Sequence, residues 1–351
     1  MVNFYEERTV RWRKGKVVMI DQTKLPNKLS YLTCDTPTEV ADAIGRLAIR
    51  GAPAIGAAAA FGVALAAYHS KSKDRNSLLS QLEVAGKLVK EARPTAVNPS
   101  WAVGRILDKA RKTKGPNKRI AETVIEEAQR IADEDVETCK SIGKFGEKLI
   151  RDGDTVLTQC NAGALATVGY GTALGVIRAA SERGKCVQVI SPETRPALQG
   201  ARLTAFELRE DRFDVTIISD TAPGYLMSEG MVDQIIVGAD RVTKTGHVFN
   251  KIGTYQLAVL ASRHKIPFYV AAPRSSFDMI SNPSDIEIEE RSPLEVVYIR
   301  GRRIAPKGIR VMNPAFDITP PELITALITD KGVIRPPYIR NLSRIISDPA
   351  K

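Results

Sequence analysis

The stretch DTVLTQCNAGALATVGYGTALGVIRAA, residues 154–180, decides the fold class. A short apolar run ends at Cys160, small residues follow at once, and the sequence then takes on a helical pattern. The same rhythm recurs downstream, where strands are predicted at 155–160, 187–191, 214–218, 234–238 and 267–271. Helices are predicted between them at about 163–183, 197–208, 222–231 and 253–264. This alternation indicates a Rossmann-like parallel α/β sheet with helices on both faces.

The sequence before residue 154 predicts a mainly helical N-terminal domain with a small β-hairpin. Thr9–Trp12 and Lys16–Asp21 flank a short turn and predict the hairpin. Four helices are expected: from Thr36, over Ala54–His69, from Ser100 to about Lys112 behind an Asn98-Pro99 cap, and over 118–149. We place the domain boundary in the last of these helices, which divides the chain into residues 1–125 and 126–351.

Two further elements are predicted near the C-terminus. The β-branched run Val296–Arg300 indicates a strand. Thr319-Pro-Pro-Glu322 has the pattern of a capping box with proline at the first helical position, which predicts a helix to about Thr329.

Composition and charge narrow the classes of partner. The chain has 351 residues, of which 43% are hydrophobic and 26% charged, as in ordinary globular proteins. Its net charge of +11 suits either a nucleic acid or an anionic small molecule, but a solvated Lys/Arg surface explains it more simply. No patch interleaves basic and aromatic residues in the way that single-strand binders do, so we expect no nucleic-acid partner.

Membrane, metal and disulfide sites are also not expected. No uninterrupted apolar run reaches the roughly 18 residues that a membrane span needs, and the N-terminus lacks the apolar core of a signal peptide. We therefore expect a cytoplasmic protein with no membrane contact. The four cysteines include no C-x-x-C pair, and the three histidines have no metal-ligand spacing.

Polar residues follow each of the five predicted strands of the sheet. Because ligands bind beyond the carboxyl ends of parallel strands, these residues outline a pocket. They are Cys160–Gly163, Ser191–Arg195, Ser219-Asp220, Gly238–Arg241 and Ala272–Arg274.

Three stretches are candidate anion sites. Asn161-Ala-Gly163 and Asn250–Thr254 each precede a predicted helix, whose free N–H groups and positive end attract anions. Arg50-Gly51-Ala52-Pro53 makes a turn before an Ala-rich helix. Arg50 or Arg93 is suited to bind a phosphate through two N–H groups. The simpler interpretation of each stretch is an ordinary helix end with a surface cation.

Two residues are candidate catalysts. Asp240 follows an apolar strand, where partial burial would raise its pKa and make it an acid near neutral pH. Alternatively, it pairs with Arg241 or caps a turn. Cys160 would be a thiol at the end of a strand, yet free cysteines more often serve as small buried apolar side chains. The residues alone leave both pairs of alternatives open.

Several long motifs, taken together, resemble those of the methylthioribose-1-phosphate isomerases. They occur in the family's order over nearly the whole chain: IRGAPAIGAAAAFG (49–62), ARPTAVN (92–98), TQCNAGALATVGYGTALGVIRAA (158–180), ETRPALQGARLTAFEL (193–208), VGADRVTKTGHVFNKIGTYQLA (237–258) and NPAFDITPPELITALITDKGVIRPPY (313–338). The wider family includes ribose-1,5-bisphosphate isomerase and the α, β and δ regulatory subunits of eukaryotic translation initiation factor 2B. One departure is Ala162 and Ala164, where the family has a more polar run.

The resemblance implies an aldose–ketose isomerase that converts 5-methylthioribose 1-phosphate to 5-methylthioribulose 1-phosphate in methionine salvage. It implies that Cys160 and Asp240 are the catalytic pair. The matching substrate-binding positions are Arg50, Gly51, Ala52, Arg93, Gln199, Asn250 and Lys251. It also implies a phosphorylated sugar as substrate, a homodimer, and no metal or redox cofactor.

Overall fold

The fold is described from a computed structural model of the chain. The residues that the structure describes are 2–93, 97–299 and 301–346. Contacts group the chain into two compact units. The N-terminal unit comprises Met1–Lys140 and Gly163–Gly171, and the C-terminal unit comprises Ser141–Ala162 and Thr172–Lys351. The predicted boundary at 125/126 falls inside a long helix and stays a prediction.

A three-stranded antiparallel sheet begins the N-terminal unit. It contains the predicted hairpin and adds one strand, in the order β1 (Val10–Arg13), β2 (Lys16–Ile20) and β3 (Tyr31–Cys34). The third strand was missed because it is only four residues long and faces solvent along most of its length.

Five helices complete this unit: α1 (Pro37–Gly45), α2 (Ala52–His69), α3 (Arg75–Glu91), α4 (Val97–Lys112) and α5 (Asn117–Gly146). Thr36 and Glu39 form a capping box at α1, as the sequence predicts. The predicted cap at Asn98-Pro99 is wrong, because α4 begins at Val97 and Asn98 is a buried residue of its first turn. Helix α5 begins in the N-terminal unit and ends in the C-terminal one.

Helix α2 is buried around most of its circumference. Among the described residues it is the one helix long and apolar enough to cross a membrane, by length and composition. Its side chains instead form the centre of the unit's core, where Phe61 and Leu65 are almost wholly buried. Its many alanines and glycines allow neighbouring helices to approach closely, so α2 is a core helix.

The C-terminal unit is built from alternating strands and helices. In chain order its regular elements are β4 (Thr155–Leu157), α6 (Ala173–Glu182), β5 (Gln188–Pro192), α7 (Ala205–Glu210), β6 (Asp214–Ile218), α8 (Pro223–Ser228), β7 (Gln234–Val237), β8 (Arg241–Thr243), β9 (Val248–Lys251), α9 (Thr254–His264), β10 (Phe268–Ala271), β11 (Phe277–Asp278), α10 (Leu294–Val297), β12 (Tyr298–Ile299), β13 (Arg302–Arg303), β14 (Phe316–Thr319), β15 (Ala326–Thr329), β16 (Gly332–Ile334) and α11 (Tyr338–Ile346).

A seven-stranded sheet forms the centre of this unit, in the order β16-β15-β10-β7-β4-β5-β6. All neighbours are parallel except β15 and β16. Alternate residues along the strands of this sheet face two separate apolar cores. Val156 and Ile236 pack with α6, whereas Leu157 and Ile235 pack with α8, α9 and α11. The predicted parallel sheet with helices on both faces is therefore confirmed.

A second, four-stranded sheet has the order β11-β8-β9-β14. Strands β8 and β9 are antiparallel neighbours, as are β9 and β14. This small sheet follows directly on β7 in the chain, and it carries Asn250 and Lys251 on β9.

The predicted helix at 163–183 is wrong over its first half. Helix α6 begins only at Ala173, and residues 164–166 form a single 3₁₀ turn. Tyr170 and Gly171 have φ values of +68° and +86°, which no helix accommodates. The first candidate anion site is therefore also wrong, because no helix starts at Gly163.

The predicted helix from Thr319 to Thr329 is wrong as well. A 3₁₀ turn at Pro321–Leu323 is followed by strand β15, which pairs with β10 in the buried part of the sheet. Sheet pairing and burial outweigh the local capping pattern. The predicted strand at Val296–Arg300 is reduced to β12, and Arg300 lies outside the described residues.

The segment Gly163–Gly171 is held by side chains of the N-terminal unit. Thr9 Oγ1 donates to the carbonyl of Ala164 at 2.7 Å, and Gln22 Nε2 donates to that of Leu165 at 2.7 Å. The N–H of Val168 donates to Asp135 Oδ2 at 2.6 Å. These hydrogen bonds pair backbone groups of the segment that a helix would have paired with each other.

Gly51 at the start of α2 lies directly against this segment. Its φ is +91°, and a Cβ there would lie 2.2 Å from the carbonyl oxygen of Ala166. We expect Gly51→Ala to destabilise the protein by about 2 kcal/mol or more, because strain and steric clash add. The measurement is thermal unfolding followed by circular dichroism.

Gly45→Ala is the matched control. A Cβ at Gly45 has no neighbour within 4 Å, and the residue ends helix α1. This change should be neutral or stabilise by up to about 1 kcal/mol. Equal unfolding temperatures for the two variants would contradict the assignment of Gly51 to an obligatory close contact.

Asp135 makes stability depend on pH. Burial raises the pKa of its carboxyl group to about 7, although the Val168 N–H and Arg8 act in the opposite direction. Since the folded pKa lies above the unfolded value, the folded form binds the proton more tightly. The stabilising contribution is complete below about pH 4 and is lost as the pH rises through 7.

Asp135→Asn should remove this dependence. We expect the difference in Tm, variant minus parent protein, to increase between pH 5 and pH 8. Each kcal/mol of unfolding free energy that the parent loses should change this difference by about 2–4 °C. Glu137→Gln makes the same carboxyl-to-amide change at an exposed residue of the same helix; it is the control and should leave the Tm close to that of the parent protein. A difference between Asp135→Asn and the parent that stays constant with pH would show that Asp135 keeps its charge throughout.

Candidate active site

The carboxyl ends of β4 and β7 meet at the point where the order of the sheet reverses. From β4 the chain adds β5 and β6 on one side, and it then returns to place β7, β10 and β15 on the other. Ligands of doubly wound sheets bind in the crevice at such a point. Cys160 follows β4 and Asp240 follows β7. The two loops touch, because a Cβ on Gly238 would lie 2.6 Å from that of Ala162.

Cys160 is buried and has an unusual backbone conformation. The residue is 7% exposed to solvent, and its backbone φ angle is +61°. Its N–H donates to Thr194 Oγ1 at 3.1 Å, and its carbonyl accepts from Thr204 Oγ1 at 2.6 Å. A non-glycine residue in this region is held by its surroundings and is frequent at functional sites.

Asp240 is exposed, so the partial burial predicted from the sequence is wrong. Its N–H donates to the carbonyl of Phe249 at 3.0 Å, which fixes the backbone beside strand β9. The guanidinium of Arg241 pairs with Asp278 at 2.8 Å. Asp240 therefore lies at an exposed position between the end of β7 and the start of β8.

Asn250 and Lys251 are brought next to Asp240 by β9. Asn250 is buried, and its Nδ2 donates to Thr254 Oγ1 at 3.0 Å. Lys251 Nζ lies 4.5 Å from the centre of the Phe316 ring, a cation–π contact that orients the ammonium group. The structure thus gathers these two predicted residues with Asp240.

Asp317 occupies the N-terminus of α9, the second candidate anion site. Its carboxylate accepts from the N–H groups of Gly253 at 2.7 Å and Tyr255 at 3.0 Å. Burial raises the pKa of Asp317 to about 6, against these bonds and Lys251. The prediction of free N–H groups at this helix end is wrong, because the carboxylate of a residue more than sixty positions away already binds them.

Gln199 lies at the start of a five-residue π-helix, Gly200–Thr204. A Cβ on Gly200 would lie 1.8 Å from the carbonyl of Pro192, so only glycine lets this turn approach the end of β5. Gln199 Oε1 is buried without a hydrogen-bond partner among the described residues. A buried polar atom of this kind is a candidate ligand contact.

A cleft of about 350 Å³ opens beside the same strand ends. Gln159, Arg195, Asp220, Asp317 and Tyr255 contribute to its walls. Gln159 Nε2 donates to the carbonyl of Ile252 at 3.0 Å, which ties the end of β4 to the loop before α9. Asp220 accepts from the N–H groups of Thr194 and Arg195 and so orders the loop after β5.

The remaining predicted residues belong to the N-terminal unit. Arg50, Gly51 and Ala52 form the start of α2, and no side chain within the described ranges caps this helix. Its first turn contains no acidic residue. Arg93 is half-buried in the turn after α3, and residues 94–96 of its motif lie outside the described residues. The roles of Arg50, Gly51, Ala52 and Arg93 as substrate contacts stay predictions.

Reasoning from the sequence missed a buried polar network behind Cys160. Arg178 and Glu207 are wholly buried and pair at 2.7 Å, and Arg178 also pairs with Asp211 at 2.6 Å. Although burial lowers the pKa of Arg178, the two carboxylates raise it above its usual range. Glu207 Oε1 accepts from Asn161 Nδ2 at 2.6 Å. Only the tertiary structure reveals that these helical polar residues face inward.

Metal ligands do not cluster in the described part of the chain: no three His, Cys, Asp or Glu side chains there are placed to hold an ion. All four cysteines are free thiols, and Cys186 alone is exposed.

Comparison with known proteins identifies the family. The initiation factor 2 subunit family matches residues 48–336. Methylthioribose-1-phosphate isomerase of Thermosipho africanus is 52% identical over 341 residues, which cover 97% of this chain and 98% of that protein.

Two solved structures have the same fold over almost the whole chain. 5-Methylthioribose 1-phosphate isomerase from Pyrococcus horikoshii OT3 is 46% identical with a TM-score of 0.93, and 97% of this chain and 96% of that chain are covered. Translation initiation factor eIF-2B, subunit delta, from A. fulgidus is 49% identical with a TM-score of 0.90, and the coverage is 97% and 100%. The chain therefore belongs to the initiation factor 2 subunit family, and within it to the methylthioribose-1-phosphate isomerases.

Proposed function

We propose that the protein is an aldose–ketose isomerase that converts 5-methylthioribose 1-phosphate to 5-methylthioribulose 1-phosphate in methionine salvage. The observation that carries this proposal is the placement of Cys160 and Asp240 in touching loops at the reversal point of the sheet. The family supports the choice of reaction, since relatives of about the same length are named for it.

The substrate carries its phosphate on the anomeric oxygen, so simple ring opening is blocked. The ring oxygen must gain a proton as its bond to C1 breaks, and Asp240 is the proposed acid. Because Asp240 is exposed in the structure, bound substrate must supply the desolvation that keeps a carboxyl group protonated near neutral pH. The proton of the 2-hydroxyl leaves as the ketone forms, so the protons balance.

Cys160 acts at the C2–H bond. In an enediol route, its thiolate takes the C2 proton and returns it to C1. In a hydride route, the hydrogen moves from C2 to C1 with both bonding electrons, and the neutral thiol keeps water away. The burial of Cys160 keeps water away from the reacting carbons in either route.

The start of α2 is the proposed phosphate site. The positive end of the helix and the lack of an acidic residue in its first turn favour a dianion, and Arg50 adds a charged donor beside Gly51 and Ala52. Arg93, Gln199, Asn250 and Lys251 are further proposed substrate contacts. We also propose that the protein is a homodimer and works in the cytoplasm.

A rival proposal from another class is a regulatory subunit in translation. The observation in its favour is the likeness to the A. fulgidus structure named as an initiation factor subunit. That role predicts binding to an initiation-factor partner without turnover. A sugar-phosphate isomerase acting on ribose 1,5-bisphosphate is the alternative within the same chemistry.

The test follows the C2 ketone by ¹³C NMR with purified protein and each sugar phosphate in turn. We expect turnover of 5-methylthioribose 1-phosphate, and a loss of about 10²–10⁴-fold in kcat for Cys160→Ser and Asp240→Asn. Substrate deuterated at C2 separates the routes: the label exchanges with water through an enediol and stays in the product in a hydride shift.

Cys186→Ser and Asp214→Asn are the matched controls, because both residues are exposed and far in sequence from the loops concerned. Each should keep the parent rate. Unchanged turnover in Cys160→Ser and Asp240→Asn would remove both residues from the mechanism. Preferred turnover of ribose 1,5-bisphosphate would reassign the substrate, and capture of an initiation factor without turnover would favour the rival role.

A further inference from the structure

The backbone of Cys160 is fixed on both sides by hydroxyl groups. Thr194 Oγ1 accepts its N–H, and Thr204 Oγ1 donates to its carbonyl. Both threonines are wholly buried. Since a φ of +61° is unfavourable for a residue with a Cβ, these two bonds hold the residue in a conformation that it would otherwise leave.

Thr204 is itself fixed by Asn161. Asn161 Nδ2 donates to Thr204 Oγ1 at 3.1 Å and to Glu207 Oε1 at 2.6 Å. The hydroxyl of Thr204 accepts from Asn161 and donates its single proton to the carbonyl of Cys160. The donors and acceptors therefore form one consistent series from Glu207 to the Cys160 carbonyl.

At Glu207, this series of hydrogen bonds joins a buried ion pair. Glu207 Oε2 accepts from Arg178, whose guanidinium also binds Asp211. Arg178 stands on α6 and Glu207 on α7, so the pair joins two helices of the same unit. An ion pair buried with all its partners is costly to disturb and therefore holds its geometry firmly.

The π-helix Gly200–Thr204 links this series to the predicted substrate contact Gln199. One end of the π-helix bears Gln199 and the other bears Thr204. Insertions of this kind are frequent at functional sites, because they redirect side chains at small cost. The same turn thus sets the places of Gln199 and of Cys160.

We propose that Thr204, Asn161 and Glu207 are positioning residues for the isomerase: they hold Cys160 so that its thiol faces the reacting carbons. The inference rests on the proposed function, because it gives Cys160 a role in turnover. It predicts that loss of the Thr204 hydroxyl lowers kcat and leaves KM nearly unchanged, since Thr204 itself is buried behind the loop.

The experiment compares Thr204→Val with Thr204→Ser in the Cys186→Ser background. We expect kcat of Thr204→Val to fall roughly 5- to 150-fold, the factor that corresponds to one buried hydrogen bond left unmade. Thr204→Ser keeps the hydroxyl and should restore most of the rate. Thr319→Val is the control: Thr319 is a buried threonine whose hydroxyl has no partner among the described residues, and its loss should leave kcat unchanged.

A second measurement does not depend on turnover. The rate at which iodoacetamide alkylates Cys160 is read from the mass of its peptide, and it should rise by a similar factor, roughly 5- to 150-fold, in Thr204→Val as the loop relaxes. Absence of turnover in the parent protein would refute the proposed function alone, because the alkylation rates would still report on the positioning.

Should Thr204→Val not fold, Glu207→Gln gives the same information. Its amide oxygen still serves Arg178, but its NH₂ group then faces that of Asn161, so the Asn161 bond is lost while the ion-pair site keeps its shape. The expected changes in kcat and alkylation are in the same direction. A folded Thr204→Val or Glu207→Gln protein with the parent's kcat and alkylation rate would overturn the proposal.

Discussion

The parallel pairing of β4 with both β5 and β7 is the constraint on which the site depends. Strand β4 is only three residues long, yet Val156 and Leu157 face the two opposite cores and are wholly buried. Because all three strands run the same way, their carboxyl ends lie at one edge. Cys160, Thr194 and Asp240 follow these ends. A shift of β4 by one residue would exchange its two faces and move Cys160 out of reach of Thr194.

Strands with a clear β-branched run could be predicted, whereas segments whose local pattern is overridden by distant partners could not. The strands at 214–218 and 234–238 were found because both are rich in β-branched residues, although the first is a largely exposed edge strand and the second is buried. Residues 163–171 have helical composition, but their carbonyls and N–H groups are bound by Thr9, Gln22 and Asp135. Likewise, the capping pattern at Thr319 yields to the pairing of β15 with β10.

The residues of the candidate site also differ in how well the sequence predicts them. Cys160 and Asp240 could be picked out as candidates because polar residues at strand ends are visible in the sequence, and the resemblance to the family predicts which residues bind the substrate. Thr204, Glu207 and Arg178 could not, since a polar residue on a helix usually faces water. Their burial follows from the packing of three separate segments, the π-helix with Thr204, α7 with Glu207 and α6 with Arg178, which a local pattern does not reveal. The residues that fix the geometry of the site are thus the hardest to predict.

The N-termini of α9 and α2, the two remaining candidate anion sites, differ in charge, and this difference affects how well each can bind a phosphate. At α9 the Asp317 carboxylate, with a pKa of about 6, is ionised at neutral pH and already binds two N–H groups. It would repel a phosphate dianion. The start of α2 has no acidic residue in its first turn, and Arg50 precedes it. A phosphate contact at α2, as proposed above, is therefore free of the repulsion that Asp317 would exert at α9. Lys251, whose ammonium group is oriented by the Phe316 ring, stays a proposed contact of the sugar's oxygens.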